Sequence, residues 1–265
     1  MIFDTHTHLN DACFDPDREE LLRQLPARGV GAFTEIGYDL PSSERARALA
    51  EAPAWEGTLE IYAAIGLHPD SAETVSEETL SGLCRLAASP KVVAIGEIGL
   101  DYHYTDSAGP EAQRRCYTEM LHLGRELGLP VVLHSRDAAK DTYELLVRNK
   151  GYENGGIVHC FSYSPEVAEQ YVKLGMHIGV GGVLTFPNGR RLKEVAARIP
   201  LSSIVLETDC PYMAPTPLRG SRNEPGNLCY VIEELARIKG VSSEEVLRIT
   251  EENARRVYRI SRSPA

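Results

Sequence analysis

The chain has 265 residues, a hydrophobic fraction of 43% and a formal net charge of −10. This composition is that of an ordinary globular protein, and its acidity argues against a broad basic surface that grips duplex DNA. No apolar run approaches the roughly 20 residues of a membrane helix, and the first residues lack the features of a signal peptide. Six scattered cysteines without a CxxC pair predict reduced thiols. We therefore expect a cytoplasmic protein without membrane association.

Short apolar runs rich in valine and isoleucine alternate with amphipathic stretches along the chain. Continuous runs bounded by glycine and proline are typical of strands buried on both faces of a parallel sheet. The stretches between them carry helix signals, such as Ser76 before an acidic turn and a segment from proline to glycine at 110–128. The apolar runs are 2–9, 31–37, 61–69, 92–101, 130–136, 155–161, 176–182 and 204–211.

Eight strand–helix units, mostly about 20–40 residues apart, predict an α/β fold of the TIM-barrel type, (β/α)8, with residues 1–265 forming one domain. A doubly wound open sheet is the structural alternative, although it usually has fewer strands. Residues 241–260 predict an extra C-terminal helix that packs on the barrel.

Residues with metal-binding side chains lie late in the predicted strands. Functional residues of barrel enzymes sit at the carboxyl ends of the strands, so we expect these side chains to meet there. Because alternate side chains share a strand face, two of the histidines, separated by Thr7, can reach one ion. The same alternation directs Cys160 and Cys210 away from the centre and excludes them as ligands. The expected ligands are His6, His8, Glu97, His134, His159 and Asp209.

Four histidines and two carboxylates exceed the ligand set of one tetrahedral ion. They predict two divalent ions about 3.5–4 Å apart, bridged by a carboxylate. The donors fit Zn, Mn, Fe, Co or Ni; we expect zinc in the isolated protein, with magnesium or manganese as alternatives for activity. A structural, hydrogen-bonded role is the competing interpretation for a single histidine, and it is favoured for His122 and His177.

Several motifs occur in a fixed order along the chain. They are DTHTHLN (4–10), GLHPD (66–70), GEIGLDY (96–102), PVVLHSRDA (130–138), GIVHCFS (156–162), LETDCPYMAP (206–215), RGSRNEP (219–225) and ENARRVY (252–258). Together they resemble the motifs of the TatD family of metal-dependent deoxyribonucleases. The resemblance runs from about residue 2 to residue 258 and implies a TIM barrel of the amidohydrolase-like group.

The resemblance also implies a division of the ligands between two ions. His6, His8, Glu97 and Asp209 would hold one ion, and Glu97 would bridge to a second ion held with His134 and His159. Members of the family are described as nucleases that act on DNA ends, which implies a phosphodiester hydrolase similar to a 3′–5′ exonuclease.

This chain departs from the family pattern at three positions. Tyr163, Pro187 and Asp70 stand where relatives commonly carry Gly, Lys and His, respectively. The changes at 70 and 187 make the mouth of the barrel more negative and leave the substrate preference open.

The mechanism that these residues suggest is in-line attack on a phosphodiester by a hydroxide activated between two metal ions. Glu97 would bridge the ions, while Asp209 would orient the water and accept its proton. His68, which ends the third predicted strand, is expected to contact a phosphate oxygen or to protonate the leaving oxygen. A structural histidine before Pro69 is the alternative for this position.

Further residues are expected to bind the substrate, which we take to be DNA or another nucleotide phosphodiester. Arg219 and Arg222 follow the last strand in a loop where guanidinium groups can reach a phosphate, although solvated loop charges are the alternative. Tyr102 is expected to shape the substrate pocket. The neighbouring Asp101 is expected to hold a metal ligand in position. Glu207 could support a ligand from deeper in the barrel. A monomer is expected.

Three other functions stay open at the level of sequence. The first is a metal-dependent amidase or lactonase, although many binuclear enzymes of that group bridge with a lysine where this chain has Glu97. The second is an ester hydrolase that acts on aminoacyl-tRNA. The third is a catalytically silent binding or scaffold protein, in which loss of one or two ligands would be expected.

Overall fold

The computed structural model describes residues 1–103 and 108–261. Eight parallel strands follow one another around a single sheet in chain order, which confirms the predicted TIM barrel. The strands are β1 (Ile2–Thr7), β2 (Val30–Ile36), β3 (Glu60–Ile65), β4 (Val92–Asp101), β5 (Val131–Arg136), β6 (Gly156–Val158), β7 (His177–Val180) and β8 (Ile204–Leu206).

Helices separate successive strands and form the outer layer of the barrel. Ser76 accepts a hydrogen bond from the Thr79 N–H at the start of α3, and Gly128 ends α4 in the left-handed conformation, as the sequence predicts. The helices are α1 (Arg18–Gln24), α2 (Leu40–Ala50), α3 (Glu77–Ala87), α4 (Pro110–Leu127), α5 (Ala139–Arg148), α6 (Pro165–Lys173), α7 (Arg190–Arg198), α8 (Leu228–Lys239) and α9 (Ser243–Val257). No described helix is long and apolar enough to cross a membrane.

The barrel closes just beyond the end of β8. Thr7 and Cys210 form a parallel bridge between β1 and the segment that follows β8. The Asp209 N–H donates to the His6 carbonyl at 3.0 Å, and the His8 N–H donates to the Cys210 carbonyl at 3.0 Å. The seam of the barrel therefore passes between predicted ligands.

The core has two parts, one between the sheet and the helices and a smaller one that includes Phe3, Ala32, Ala64 and Val205. The C-terminal helix α9 completes the smaller part with Ala254, Val257 and Tyr258. Asn253, on the same helix, is fully buried and donates to the carbonyls of Leu201 and Ile204 at 2.9 and 2.7 Å. The predicted extra helix is thus an integral part of the barrel.

Two strands are much shorter than their apolar runs suggest. The run at 155–161 contains only three strand residues, 156–158, and the run at 204–211 contains only 204–206. Consequently His159 lies one residue beyond β6, and Asp209 lies three residues beyond β8. Glu97, in contrast, lies inside the ten-residue strand β4 and not close to its end.

Candidate metal centre

The first pair of histidines lies at the end of β1. His6 is fully buried, and the side chain of His8, the first residue after Thr7, is 13% exposed. Their Nε2 atoms are 3.1 Å apart, so both rings present a nitrogen to the same point. The i, i+2 spacing of the two residues therefore does place both imidazoles on one side of the strand.

Glu97 lies between two pairs of histidines. Its Oε2 is 3.5 Å from the Nε2 of His6 and 3.9 Å from that of His8. Its Oε1 is 2.8 Å from the Nδ1 of His134 and 3.5 Å from the Nε2 of His159. Each carboxylate oxygen thus faces a different pair of imidazoles.

Asp209 completes this cluster from the segment after β8. Its backbone has a φ of +56°, which a non-glycine residue seldom adopts and which turns the chain at this point. The Oδ1 atom lies 3.5 Å from the Nε2 of His8, 3.8 Å from that of His6 and 3.9 Å from that of His159. All six side chains predicted as ligands are therefore brought together at the carboxyl end of the barrel.

Second carboxylates contact the far sides of two of the imidazoles. The Nε2 of His134 lies 3.0 Å from Asp101 Oδ2, and the Nδ1 of His159 lies 3.3 Å from Glu207 Oε2. Such contacts hold a ring in one orientation and increase its basicity as a ligand. Both Asp101 and Glu207 occupy the supporting positions that the sequence suggests for them.

The strand alternation that was expected to turn Cys160 away from the centre does not reach this residue. Because β6 ends at Val158, Cys160 lies outside the strand, and its φ of +44° breaks the alternation of side chains. Its sulfur lies near the cluster, because the potential ligand atoms of His159, Cys160 and Asp209 lie within 4.8 Å of one another. Cys210, by comparison, is fully buried.

The electrostatics of the cluster are those of carboxylates surrounded by imidazoles. Although burial alone would raise it, the charges of His159 and His6 hold the pKa of Glu97 well below its usual range. Burial lowers the pKa of His159, but the negative charges of Glu207, Glu97 and Asp209 outweigh it and raise that pKa to about 10. In the same way, hydrogen bonds to Asp101 and Glu97 overcome burial and raise the pKa of His134 to about 9.

Two buried acids that the sequence analysis did not single out hold the ligand-bearing segments. Asp4 accepts hydrogen bonds from the N–H groups of His6 and Thr208, and from the Thr208 hydroxyl at 2.5 Å. Burial is the main reason that the pKa of Asp4 rises to about 7. Glu35 accepts the N–H groups of Leu9 and Asn10, directly after His8. An acidic residue inside an apolar run is the sequence signal for both.

His68 lies beside the second pair of histidines. Its ring meets that of His134 edge to face, with the ring centres 4.5 Å apart, and its ligand atoms lie within 4.8 Å of those of Glu97 and His134. The Nδ1 of His68 accepts the N–H of Asp70 at 3.2 Å and lies 3.4 Å from the Asp70 carboxylate. His68 is therefore adjacent to the cluster, with its ring fixed through Nδ1.

The three other residues predicted to bind substrate have partners of their own. Arg222 forms a two-pronged ion pair with Asp17, at 2.8 and 2.6 Å. Arg219 is exposed and lies over the ring of Phe186, 4.0 Å from its centre. The Tyr102 hydroxyl donates to Asp141 at 2.8 Å, between helices α4 and α5.

A cavity of about 750 Å³ opens directly from the cluster. One wall is formed by His134, His159 and Asp209, and the other by the start of α7. There, Arg191 donates to the Ser162 carbonyl at 3.2 Å, whereas the neighbouring Arg190 pairs with Glu194 at 2.8 Å. The sequence analysis did not identify these arginines, because their position depends on how the loop after β7 folds.

The donor set fits a divalent cation. Imidazole nitrogens of His6 and His8 converge on each other and on carboxylate oxygens of Glu97 and Asp209, all within 3.9 Å, with very little exposure to water. Lone pairs that converge in this way require a shared proton or a cation, and imidazole with carboxylate is a common ligand set for transition metals. The barrel and this cluster define a metal-dependent hydrolase of the TIM-barrel class.

Similarity to known proteins identifies the family to which the chain belongs. The model of the "TatD related DNase" family matches residues 3–259, and the chain belongs to this family. "Uncharacterized metal-dependent hydrolase YabD" of Bacillus subtilis is 41% identical over 98% of this chain and 100% of its own length. "3′-5′ ssDNA/RNA exonuclease TatD" of Cronobacter sakazakii is 34% identical over the whole of both chains. The crystal structure of the TatD homologue YjjV of Escherichia coli superposes with a TM-score of 0.89, at 34% identity over 98% of each chain.

Proposed function

We propose that this protein hydrolyses phosphodiester bonds at the 3′ end of single-stranded DNA or RNA, using two divalent metal ions. The observation that carries the proposal is the position of Glu97, whose two oxygens face different pairs of histidines. A carboxylate in this position suits a bridge between two ions, as in two-metal phosphodiesterases. The substrate follows that of the Cronobacter relative, and zinc is the ion that we expect in the isolated protein.

Bound divalent cations would lower the pKa of the attacking water and neutralise negative charge on the phosphate. On the protein side, Asp209 would orient that water; the proposal is supported by its Oδ1, which lies 3.5–3.9 Å from the imidazoles of His6, His8 and His159. Burial raises the pKa of Asp209, but the charge of His159 and the hydrogen bond to His8 outweigh it and lower that pKa. With metal bound, His159 would be a neutral ligand, and the cations themselves would keep the carboxylate ionised and able to accept a proton.

His68 is proposed to protonate the leaving oxygen or to bind a phosphate oxygen. Because Nδ1 accepts the Asp70 N–H, the proton of the neutral ring is on Nε2. That N–H can donate a hydrogen bond to a phosphate oxygen. To protonate the leaving oxygen, the ring would first bind a second proton at Nδ1, and the Asp70 carboxylate at 3.4 Å would accept the new N–H.

The roles of Arg219, Arg222 and Tyr102 in substrate binding stay predictions. Arg219 is the better placed arginine, since it is exposed, whereas Arg222 would have to leave Asp17 to reach a phosphate. We also propose a cytoplasmic monomer. The six cysteines are all free thiols, which agrees with a reducing compartment.

Metal analysis combined with hydrolysis assays tests the two-ion proposal. Purified protein loaded with zinc or manganese should carry two ions per chain and should cleave bis(p-nitrophenyl) phosphate and single-stranded oligonucleotides from the 3′ end. Glu97→Ala should lose metal and activity together, whereas the surface variant Glu153→Ala should behave as the wild type. A single bound ion in the wild type, or near-normal turnover by Glu97→Ala, would contradict the proposal.

The same assays separate the alternative functions. A protein that carries two ions but cleaves only esters, lactones, amides or aminoacyl-tRNA would have the proposed centre and a different substrate. A protein with ions and no hydrolysis of any of these compounds would be a binding protein.

A further inference from the structure

Exposed apolar side chains are concentrated at the mouth of the metal centre. Among the described residues, the exposed large hydrophobic side chains are Met1, Leu127, Val147 and three residues that belong to loops at the carboxyl end of the barrel. These three are Tyr38, which is 41% exposed, Tyr212, which is 57% exposed, and Met213, which is 43% exposed. Exposed apolar surface that gathers beside a site marks a place where a ligand or partner binds.

Tyr38 is held firmly beside the first pair of histidines. It lies two residues after β2, its carbonyl accepts the His68 N–H at 2.9 Å, and its own N–H donates to the Ser42 hydroxyl at 2.9 Å. Its ring centre is 6.1 Å from that of His8. The backbone is therefore anchored, and the exposed ring stands next to a predicted metal ligand.

Tyr212 stands on the same rim. It follows Asp209 by three residues, and its N–H donates to the Asp209 carbonyl at 2.9 Å. Burial, together with the charges of Asp11 and Asp209 and with the nearby Tyr38 phenol, raises the pKa of Tyr212. Both rings keep much of their surface exposed beside the centre, 41% for Tyr38 and 57% for Tyr212.

Part of the positive charge near the centre is already balanced by carboxylates. Arg222 is paired with Asp17, and Arg190 is paired with Glu194. The exposed Arg219 and bound metal ions would attract phosphate, but these contacts do not distinguish a single strand from a duplex. Recognition of a single strand therefore needs a contact with the bases themselves.

We propose that Tyr38 and Tyr212, called here the tyrosine pair, bind the bases next to the cleaved linkage of a single strand by stacking. This inference rests on the proposed function and names how that site recognises its substrate. Stacking on aromatic rings tolerates any base sequence and requires bases that are free of a duplex partner. The tyrosine pair thus selects single strands through a contact that does not depend on phosphate charge.

A fluorescent oligonucleotide tests the tyrosine pair directly. The probe is a short oligothymidine with 2-aminopurine at its 3′ end and a hydrolysis-resistant methylphosphonate as its last linkage, added to metal-loaded protein. Stacking quenches 2-aminopurine, so the wild type should quench the probe on binding. Tyr38→Ala and Tyr212→Ala should each weaken binding about five- to hundredfold and reduce the quenching, while the phenylalanine variants should retain both. Leu127→Ala and Val147→Ala are controls, because they remove exposed apolar side chains elsewhere on the surface.

Cleavage of an abasic deoxyribose-phosphate oligomer, which has no aromatic ring to stack, distinguishes this inference from the function on which it rests. We expect the alanine variants to keep wild-type rates on this compound and wild-type metal content, while KM for oligonucleotides rises. Unchanged probe affinity and quenching in both alanine variants would overturn the role of the tyrosine pair, even if 3′-end cleavage is observed. Failure of the wild type to cleave any phosphodiester would instead overturn the proposed function.

Discussion

Glu207 contacts the imidazole of His159 on the side that faces away from the metal centre. Its Oε2 lies 3.3 Å from the Nδ1 of His159, while the Nε2 of the same ring faces Glu97 at 3.5 Å. The other oxygen, Oε1, accepts the Cys160 N–H at 2.6 Å. One buried carboxylate therefore positions both the ring and the turn that carries it.

This arrangement predicts that Glu207→Ala weakens metal binding without removing a ligand. Loss of a carboxylate behind a ligating histidine typically lowers metal affinity by 10- to 100-fold. We expect a loss of about that size, measured by competition with a chromophoric chelator, and recovery of activity at high metal concentration. Glu207→Gln keeps an oxygen acceptor and should retain more affinity than the alanine variant. Equal affinity in all three proteins would show that Glu207 does not position His159.

We expect replacement of His68 to slow cleavage most for substrates with a poor leaving group. A nucleoside alkoxide needs a proton as it leaves, whereas p-nitrophenolate does not, and general acids typically contribute about 10²–10⁴-fold. His68→Asn should therefore slow oligonucleotide cleavage by about 10²-fold or more, and bis(p-nitrophenyl) phosphate hydrolysis by less than about tenfold. Metal content must be measured in parallel, because His68 is adjacent to Glu97 and His134. Equal losses on both substrates with full metal content would argue against an acid role.

His177, at the start of β7, should make the fold sensitive to acid. Burial, with a smaller effect of Arg256, lowers the pKa of His177 to about 4 from its ordinary value of 6.5. Below pH 6.5 the unfolded chain therefore binds a proton that the folded protein does not, so the free energy of unfolding falls as the pH drops from 6.5 to about 4. The shift corresponds to a loss of up to about 3 kcal/mol.

Urea denaturation at several pH values tests this effect. His177→Gln should lose less stability than the wild type between pH 6.5 and 4.5. Arg256→Met should give a smaller change in the same direction, because it removes the nearby positive charge. Parallel pH profiles for wild type and His177→Gln would rule out His177 as the cause of acid sensitivity.

Asn253 should be a principal anchor of the C-terminal helix. Its amide satisfies two carbonyls in a fully buried position, and each buried polar group left without a partner costs about 1–3 kcal/mol. Asn253→Ala should therefore lower the free energy of unfolding by about 3 kcal/mol, measured by urea denaturation. Asn149→Ala is the control: it removes two hydrogen bonds of a half-buried amide, to the Leu145 carbonyl and to the His122 ring, and should cost less than about 1 kcal/mol because water can replace them. Similar losses in the two variants would show that Asn253 has no special role.

The barrel and the six-residue cluster were predictable because both depend on regular spacing. Alternating apolar runs and helix signals determine the fold class, and ligands at strand ends converge in any barrel of this kind. The identity of the substrate class came from the resemblance of motifs such as GEIGLDY, since a metal centre alone does not distinguish a phosphodiester from a carboxylic ester.

Features that depend on backbone turns or on distant packing were not predictable. Strand alternation misplaced Cys160 because β6 ends two residues earlier and the chain then turns through a positive φ. The ion pair between Arg222 and Asp17 joins residues that are 205 positions apart in the sequence, so no local pattern indicates it. The tyrosine pair likewise could be recognised only from the exposure of its side chains in the structure. In the sequence, a tyrosine that follows a strand is equally compatible with a buried and an exposed position.

The metal centre can form only after nearly the whole chain has been synthesised, because residues from both ends of the sequence meet where the barrel closes. Asp4 binds Thr208 across 204 residues of sequence, and Asp209 bonds to the His6 backbone at the same seam. A chain still emerging from the ribosome holds His6 and His8 long before Asp209 exists, and a fragment cut before that residue never acquires it. Such chains lack the closed seam that sets the ligands at their final distances. Unfinished or degraded copies of the protein therefore lack the complete set of predicted ligands.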